Sequence, residues 1–261
     1  MKIAIIGAGA MGGAVARGLA KNGRDLTGGN GNICVSNPSE DKLRPLAECG
    51  ISVTNSNIEA VKGADTVIIC VKPWFVEQVI AEIKAHIDYS RAQVSVVVAG
   101  ISIDTLTGWL VKDDGSLPQF CITMPNTAMA VLKSMTFQVN GCGECESVRE
   151  IFSRLGNLKV IAECQLPAAT ALASCGIAYA MRYVRAATEG GVELGIRARE
   201  AQEIVVSTLL GACALLEEPD AHPECEIDKV TTPGGITIRG LNAMEEAGFT
   251  AAVIKGLRAS R

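Results

Sequence analysis

Histidine is nearly absent. His86 and His222 are the two among 261 residues, so chemistry that needs an imidazole base has few candidates. Excess positive charge is absent too. Lysines and arginines number 24 against 28 aspartates and glutamates, and the net charge of −4 argues against nucleic acid or an anionic membrane as the main partner. No apolar run reaches the length that crosses a bilayer. Met1 leads straight into the first apolar segment, which leaves no room for a signal peptide, and a cytoplasmic protein is expected. Cysteine is plentiful at ten residues. Cys34, Cys70 and Cys121 fall inside expected strands, where a cytosolic chain keeps buried thiols rather than disulfides. Cys142-Gly-Glu-Cys145 is a solitary C-x-x-C. A structural zinc would need two further ligands, and although Cys121 or Cys164 could fold nearby, no spacing demands it. No metal is expected.

What is present begins at the first residues. Lys2-Ile3-Ala4-Ile5-Ile6 is an apolar, β-branched run that suits a strand buried on both faces of a parallel sheet. Gly7, Gly9 and Gly12 follow, then small and apolar residues at helical spacing. Between a strand and a helix, Gly7 permits the tight turn, Gly9 lets a pyrophosphate approach the backbone, and Gly12 lets the helix pack close to the sheet. The free N–H groups of the new helix, from Ala10 and Met11 onward, then face the phosphates with a favourable dipole. A dinucleotide site is the expectation. Its second strand, Ile33-Cys34-Val35-Ser36, ends where an acidic side chain would bind the ribose 2′-hydroxyl of NAD. Here Ser36-Asn37-Pro38-Ser39 offers no carboxylate before Glu40. Short hydroxyl and amide groups at a helix start accept a 2′-phosphate that a carboxylate would repel, so NADP is favoured over NAD.

Strand and helix signals keep alternating, with strands expected near Ile51–Val53, 66–71, 94–100, 118–124, 135–139 and 158–162. That pattern makes an α/β, doubly wound sheet. Ligands in such a sheet lie beyond the carboxyl ends of the strands, which puts Gly7 to Gly12, Ser36, Lys72-Pro73, Ala99-Gly100 and Met124-Pro125-Asn126 on one rim. From Glu163 the pattern turns wholly helical, rich in alanine, leucine and glycine. The expected domains are therefore 1–162, a Rossmann-type nucleotide-binding domain, and 163–261, all α. The segment from Ala168 to Glu189 reads as one long apolar helix, weak at Ser174-Cys175-Gly176. A helix this apolar all round needs more cover than its own small domain supplies, and an intertwined homodimer would supply it.

These residues resemble pyrroline-5-carboxylate reductases. The features that carry the resemblance are Gly7-Ala-Gly-Ala-Met-Gly12, Val71-Lys72-Pro73, Ala99-Gly100-Ile101 and Met124-Pro125-Asn126-Thr127, then Glu189-Gly190-Gly191-Val192 with Gly195, and Asp228-Lys-Val-Thr-Thr-Pro-Gly-Gly-Ile-Thr237. The last is the most specific. The resemblance implies a Rossmann domain and a helical dimerisation domain, with NAD(P)H-dependent reduction of 1-pyrroline-5-carboxylate to L-proline. Homodimers, open to assembly into larger rings, follow from the same likeness. By position, Ser36, Asn37 and Asn57 would meet the adenosine phosphate and ribose. Val71, Lys72 and Pro73 would flank the cofactor through backbone, and Ala99 and Gly100 would lie near the nicotinamide, with Met124, Pro125 and Asn126 on the same rim. The substrate would sit under Val230, Thr231, Thr232, Gly234, Gly235 and Thr237 of the partner chain. Three places depart from the family pattern: Ile122 stands for an arginine, Ala173-Ser-Cys-Gly-Ile-Ala178 for Ser-Gly-Ser-Gly-Pro-Ala, and Lys229 for an asparagine.

Thr232-Pro233-Gly234-Gly235 reads as a helix start, with threonine as cap and proline at the first helical position. Glycines leave that end open for a carboxylate. Thr237, just inside the same helix, could meet the ring nitrogen that becomes an amine as hydride arrives, with water as the bulk proton source. Two other readings stand beside this one. Hydroxyacid dehydrogenases of similar build use a helical lysine, but from Glu163 to Leu241 the sequence has Lys229 alone, expected in a turn. A diverged NADP-binding relative, non-catalytic or acting on another cyclic imine, is the second.

Overall fold

The computed structural model describes residues 1–260, the side chains of Arg24 and Asp25 excepted. The chain divides into two compact units, Met1–Ser174 and Cys175–Arg261.

In the first unit eight strands among the described residues form one sheet: β1 (Ile3–Ile6), β2 (Ile33–Ser36), β3 (Ser52–Thr54), β4 (Thr66–Ile69), β5 (Gln93–Val96), β6 (Gln119–Met124), β7 (Ser134–Cys142) and β8 (Gly156–Val160). Their order is β3-β2-β1-β4-β5-β6-β7-β8, so the winding direction reverses between β1 and β4. Strand alternation sorts the side chains into two cores. Ala4 and Ile6 join Val67, Ile69, Val94 and Ile122 on one face. Ile3, Ile5 and Ile68 face the other, with Val15, Leu19 and Phe152. That double burial is why β1 and β4 read as unbroken apolar runs.

The helices of this unit are α1 (Ala10–Asn22), α2 (Arg24–Thr27), α3 (Glu40–Ala47), α4 (Asn57–Val61), α5 (Val76–Ile83), α6 (Ile103–Leu110), α7 (Glu146–Ser153) and α8 (Leu166–Ala169). Ser56 caps α4 by accepting the Glu59 N–H at 3.2 Å, and Ser102 caps α6 through the Thr105 N–H at 3.1 Å. Such a cap contributes about 1 kcal/mol. Two features depart from the sequence reading. The segment from Asn22 to Asn32, whose glycine and asparagine content reads as a loop, contains α2 and a 3₁₀ turn, Asn30–Asn32. And β7 runs antiparallel to β6, because the segment between them is a short 3₁₀ turn, Thr127–Val131, and a parallel crossover needs a dozen residues or more.

Past Ala162, where the strand pattern was expected to end, Leu166 and Ala169 still pack into the sheet's core. The weak point of the expected long helix is a π-helical stretch, Thr170–Cys175. The second unit contains α9 (Gly176–Glu193), α10 (Ala198–Leu216), α11 (Pro223–Val230), α12 (Ile236–Glu246) and α13 (Phe249–Ala259). Tyr179 in α9 ties to α13 and its end, donating to the Gly256 carbonyl at 3.3 Å and bonding Ser260. Large apolar side chains remain open: Leu194 is 84% exposed, Ile236 80% and Leu210 67%. Among the described residues no helix is long and apolar enough to cross a membrane.

Candidate active site

The glycine turn shows why each glycine is needed. Gly7 has φ +101, and a Cβ there would lie 2.5 Å from the Cys70 carbonyl oxygen. A Cβ on Gly12 would stand 1.9 Å from the Gly7 oxygen, so only hydrogen lets α1 start this close. Gly9 is different: a Cβ on it would meet nothing within 4 Å. Its backbone faces open space at the start of α1, where the first N–H groups have no side-chain cap.

That space is a cleft of about 510 Å³, within the range of small-molecule sites. Of the residues singled out in the sequence, Gly7, Gly9, Ala10, Met11, Ser36, Asn37, Asn57, Val71 and Lys72 line it. β2 and β4 flank β1 on opposite sides, so the residues after each strand form facing walls. Asn37 ties one wall to the glycine turn, its Oδ1 accepting the Ala8 N–H at 3.1 Å. Ser36 donates to Asn57 Oδ1 at 2.7 Å, and Asn57 Nδ2 donates to Glu82 Oε2 at 2.9 Å. Ser39, read in the sequence as part of the Ser36–Ser39 stretch, also lines the cleft, as do Lys42, Phe75, Gln78 and Glu82, whose place there sequence reasoning missed. For the last three a signal existed: positions 78, 79 and 82 recur at helical spacing on one face of α5, and Phe75 stands one turn before them at its N-cap. Cys70 lines the cleft as a buried thiol that burial pushes up to about 12, so it stays protonated and is no nucleophile at neutral pH.

The remaining rim residues lie outside this cleft. Pro73 opens a 3₁₀ turn, Pro73–Phe75, while Ala99 and Gly100 follow β5, Gly100 with φ +77. Met124 is buried at the end of β6. Pro125 and Asn126 hold the π-helical stretch: Ser174 donates to the Pro125 carbonyl at 3.1 Å, and Asn126 Nδ2 to that of Ala173 at 3.3 Å. Asn126 Oδ1 also accepts the Ala128 N–H at 3.1 Å. Ile122, where an arginine was looked for, is a fully buried core residue.

In the second unit Val230 ends α11 and is 61% exposed. The cap expected at Thr232 lies elsewhere. Thr232 to Gly235 form a β-turn, with the Gly235 N–H donating to the Thr232 carbonyl at 2.9 Å and φ +69 at Gly234. Proline second and a left-handed glycine third is the type II pattern. The helix begins at Ile236, capped by Gly235 without any side-chain bond, so its first N–H groups remain open. Thr237 is exposed on the first turn, and among the described residues its hydroxyl has no hydrogen-bond partner. Lys229 was expected in a turn but lies in the last turn of α11, 2.6 Å from Glu226. That carboxylate pushes its pKa up, which makes it a poorer acid. A second hollow of about 860 Å³ runs along α9 and α10. Its charges pair internally, Arg185 with Glu189 at 2.8 Å and Arg199 with Glu203 at 3.1 Å.

Cys142 and Cys145 diverge: Cys145 is buried with φ +43 at the start of α7, and Cys142 is half-buried at the end of β7. Burial and the neighbouring Cys145 thiol push the Cys121 thiol up. Among the described residues no three His, Cys, Asp or Glu side chains cluster to hold a metal.

Comparison with known proteins decides the family. Residues 163–261 match the family model for pyrroline-5-carboxylate reductase dimerisation, and residues 2–99 match one described as NADP oxidoreductase, coenzyme F420-dependent. Pyrroline-5-carboxylate reductase 2 of Dictyostelium discoideum is 35% identical, over 98% of this chain and 89% of its own. The chain belongs to the pyrroline-5-carboxylate reductase family. Pyrroline-5-carboxylate reductase 1 of the same organism is 38% identical over 98% of this chain, which spans about half of that longer protein, 48%. Among solved structures, the Streptococcus pyogenes 1-pyrroline-5-carboxylate reductase superposes with a TM-score of 0.85 at 28% identity, covering 100% of this chain and 96% of that one. The Plasmodium falciparum reductase, solved with NADP bound, has a TM-score of 0.87 at 24% identity, covering 100% and 95%. The helical lysine of Lys229 does not outweigh this family membership, so the hydroxyacid reading falls.

Proposed function

We propose that this chain reduces 1-pyrroline-5-carboxylate to L-proline with NADPH, as a cytoplasmic homodimer. One observation carries the reading. In a reductase-family chain with an open glycine cleft, the Thr232–Thr237 segment presents a helix N-terminus without a side-chain cap beside a hydroxyl that has no partner among the described residues. The cleft fits a dinucleotide: its volume is adequate, the Gly9 backbone is unobstructed, and no carboxylate ends β2. When bound, NADPH supplies a hydride to the imine carbon.

The protein's own residues do the rest. Gly7, Gly9, Gly12 and the first turn of α1, Ala10 and Met11, hold the pyrophosphate, with Ser36, Asn37 and Asn57 toward the adenosine. Val71, Lys72, Pro73, Ala99, Gly100 and the Met124–Asn126 turn border the nicotinamide side. The open N–H groups at the start of α12 hold the substrate carboxylate, favoured by the helix dipole, with Val230, Thr231, Thr232, Gly234 and Gly235 around it. Thr237 orients the ring nitrogen and the water that delivers its proton. A second copy of the chain supplies this segment to each site, and it also covers the apolar faces of α9 and α10. Larger rings of such dimers are compatible with the same interface.

The test follows NADPH absorbance with 1-pyrroline-5-carboxylate added. Turnover with NADPH at least tenfold better than NADH in kcat/KM, about 1.4 kcal/mol, is expected. Cofactor binding without turnover would leave the diverged, non-catalytic relative instead.

A further inference from the structure

We infer that Lys42 reads the 2′-phosphate of the cofactor and sets the preference for the phosphorylated dinucleotide. The inference rests on the cofactor part of the reading above, and it selects a residue that the end of β2 did not suggest. Ser36 stands where the ribose is expected, but its proton is committed. The Glu82 carboxylate is an acceptor only, so it fixes the Asn57 amide with Nδ2 toward itself at 2.9 Å. Asn57 Oδ1 must then face Ser36, and it accepts the hydroxyl proton at 2.7 Å. Ser36 is fully buried, and it shows the cleft only lone pairs, which repel a phosphate dianion. Asn37 is held in place by both ends of its amide, accepting from the Ala8 N–H at 3.1 Å and donating one of its two amide hydrogens to the Ser39 carbonyl at 3.2 Å.

Among the described residues of this wall, the side-chain donors that make no hydrogen bond at all are Ser39 and Lys42. Ser39 precedes α3, but its side chain makes no capping bond there. Lys42 is exposed, and among the described residues it has no ion-pair partner. The acids before it do not line the cleft, and Asp41 lies 4.0 Å from Arg44. Lys72 belongs to the facing wall, after β4, together with Phe75, Gln78 and Glu82. Beyond the second strand, where the ribose of a dinucleotide lies, Lys42 is therefore the available charge. A lysine suits this task as a mobile point charge for phosphate.

The test uses two ligands that differ by that phosphate alone. Calorimetry measures 2′,5′-ADP and 5′-AMP binding to the intact protein and to its K42Q and K42R variants, with circular dichroism confirming the fold. The native protein is expected to favour 2′,5′-ADP by tenfold or more, and K42Q to reduce that ratio by about tenfold, the scale of one charge-assisted hydrogen bond. K42R should keep most of it. Added salt should compress the ratio in the native protein more than in K42Q. A K42Q ratio within twofold of the native value would overturn the inference and pass the role to Ser39. A protein whose 2′,5′-ADP binding depends on Lys42 but which does not turn over 1-pyrroline-5-carboxylate would uphold it and overturn the substrate assignment.

Discussion

Thr237 differs from the other helical threonines in what its hydroxyl does. Thr107, Thr170, Thr188 and Thr208 each donate to the carbonyl one turn back, at 2.7 to 2.9 Å. Thr237 has no such acceptor in the turn behind it, since the segment before Ile236 is a β-turn. Thr237→Ala is expected to lower kcat/KM by about 10²–10³, roughly 3–4 kcal/mol, with NADPH binding nearly unchanged. Thr237→Ser should retain far more activity, and an alanine variant within about threefold of the native enzyme, under 1 kcal/mol, would reduce the threonine to packing. The place of Thr237 was legible in the Asp228–Thr237 motif. The start of its helix was not, because Pro233-Gly234 fits a helix start and a type II turn equally well. Only the positive φ of Gly234 separates the two. Lys42 was illegible for a different reason: its value lies in the commitments of Ser36 and Asn57, and nothing in the order of residues announces a hydrogen bond between strand end and helix start.

The element that organises the first unit, β1 with its turn and α1, supports a paired test. Gly9→Ala adds a methyl group to open space and should leave the thermal midpoint nearly unchanged, while it obstructs the pyrophosphate and weakens NADPH by more than about tenfold. Gly12→Ala puts a Cβ 1.9 Å from the Gly7 oxygen. It should destabilise the fold by about 1–3 kcal/mol, as overpacking does. Thermal melts beside fluorescence titrations separate the two, and equal loss of stability in both would contradict the roles given to these glycines. The strands of this unit were legible because burial on two faces leaves continuous apolar runs. Their directions were not: the alternation of Met135 to Val139 says strand, while the short turn at Thr127–Val131 alone makes β7 antiparallel. Lys229 was read as part of a turn because the motif's Pro233 follows it closely, whereas it lies in α11. That helix's own proline, Pro223, stands in the first turn, where the missing N–H costs nothing.

For the whole molecule, exposed apolar surface on α9, α10 and α12 is the feature that demands a partner. Leu194, Leu210 and Ile236 are each mostly exposed, and a lone soluble chain rarely leaves so much large apolar side-chain surface open. Sedimentation should therefore find at least a dimer at assay concentration, and a fully active monomer would contradict the shared site. This need was legible in the apolar composition of 168–189, whereas which faces of the second unit stay open was not, since periodicity cannot tell a core from an interface. The central claim concerns the reaction itself, and its most direct measurement is product stoichiometry. Purified protein with NADPH and 1-pyrroline-5-carboxylate should form one L-proline for each NADPH oxidised. NADPH bound in the cleft with no proline formed would contradict the account.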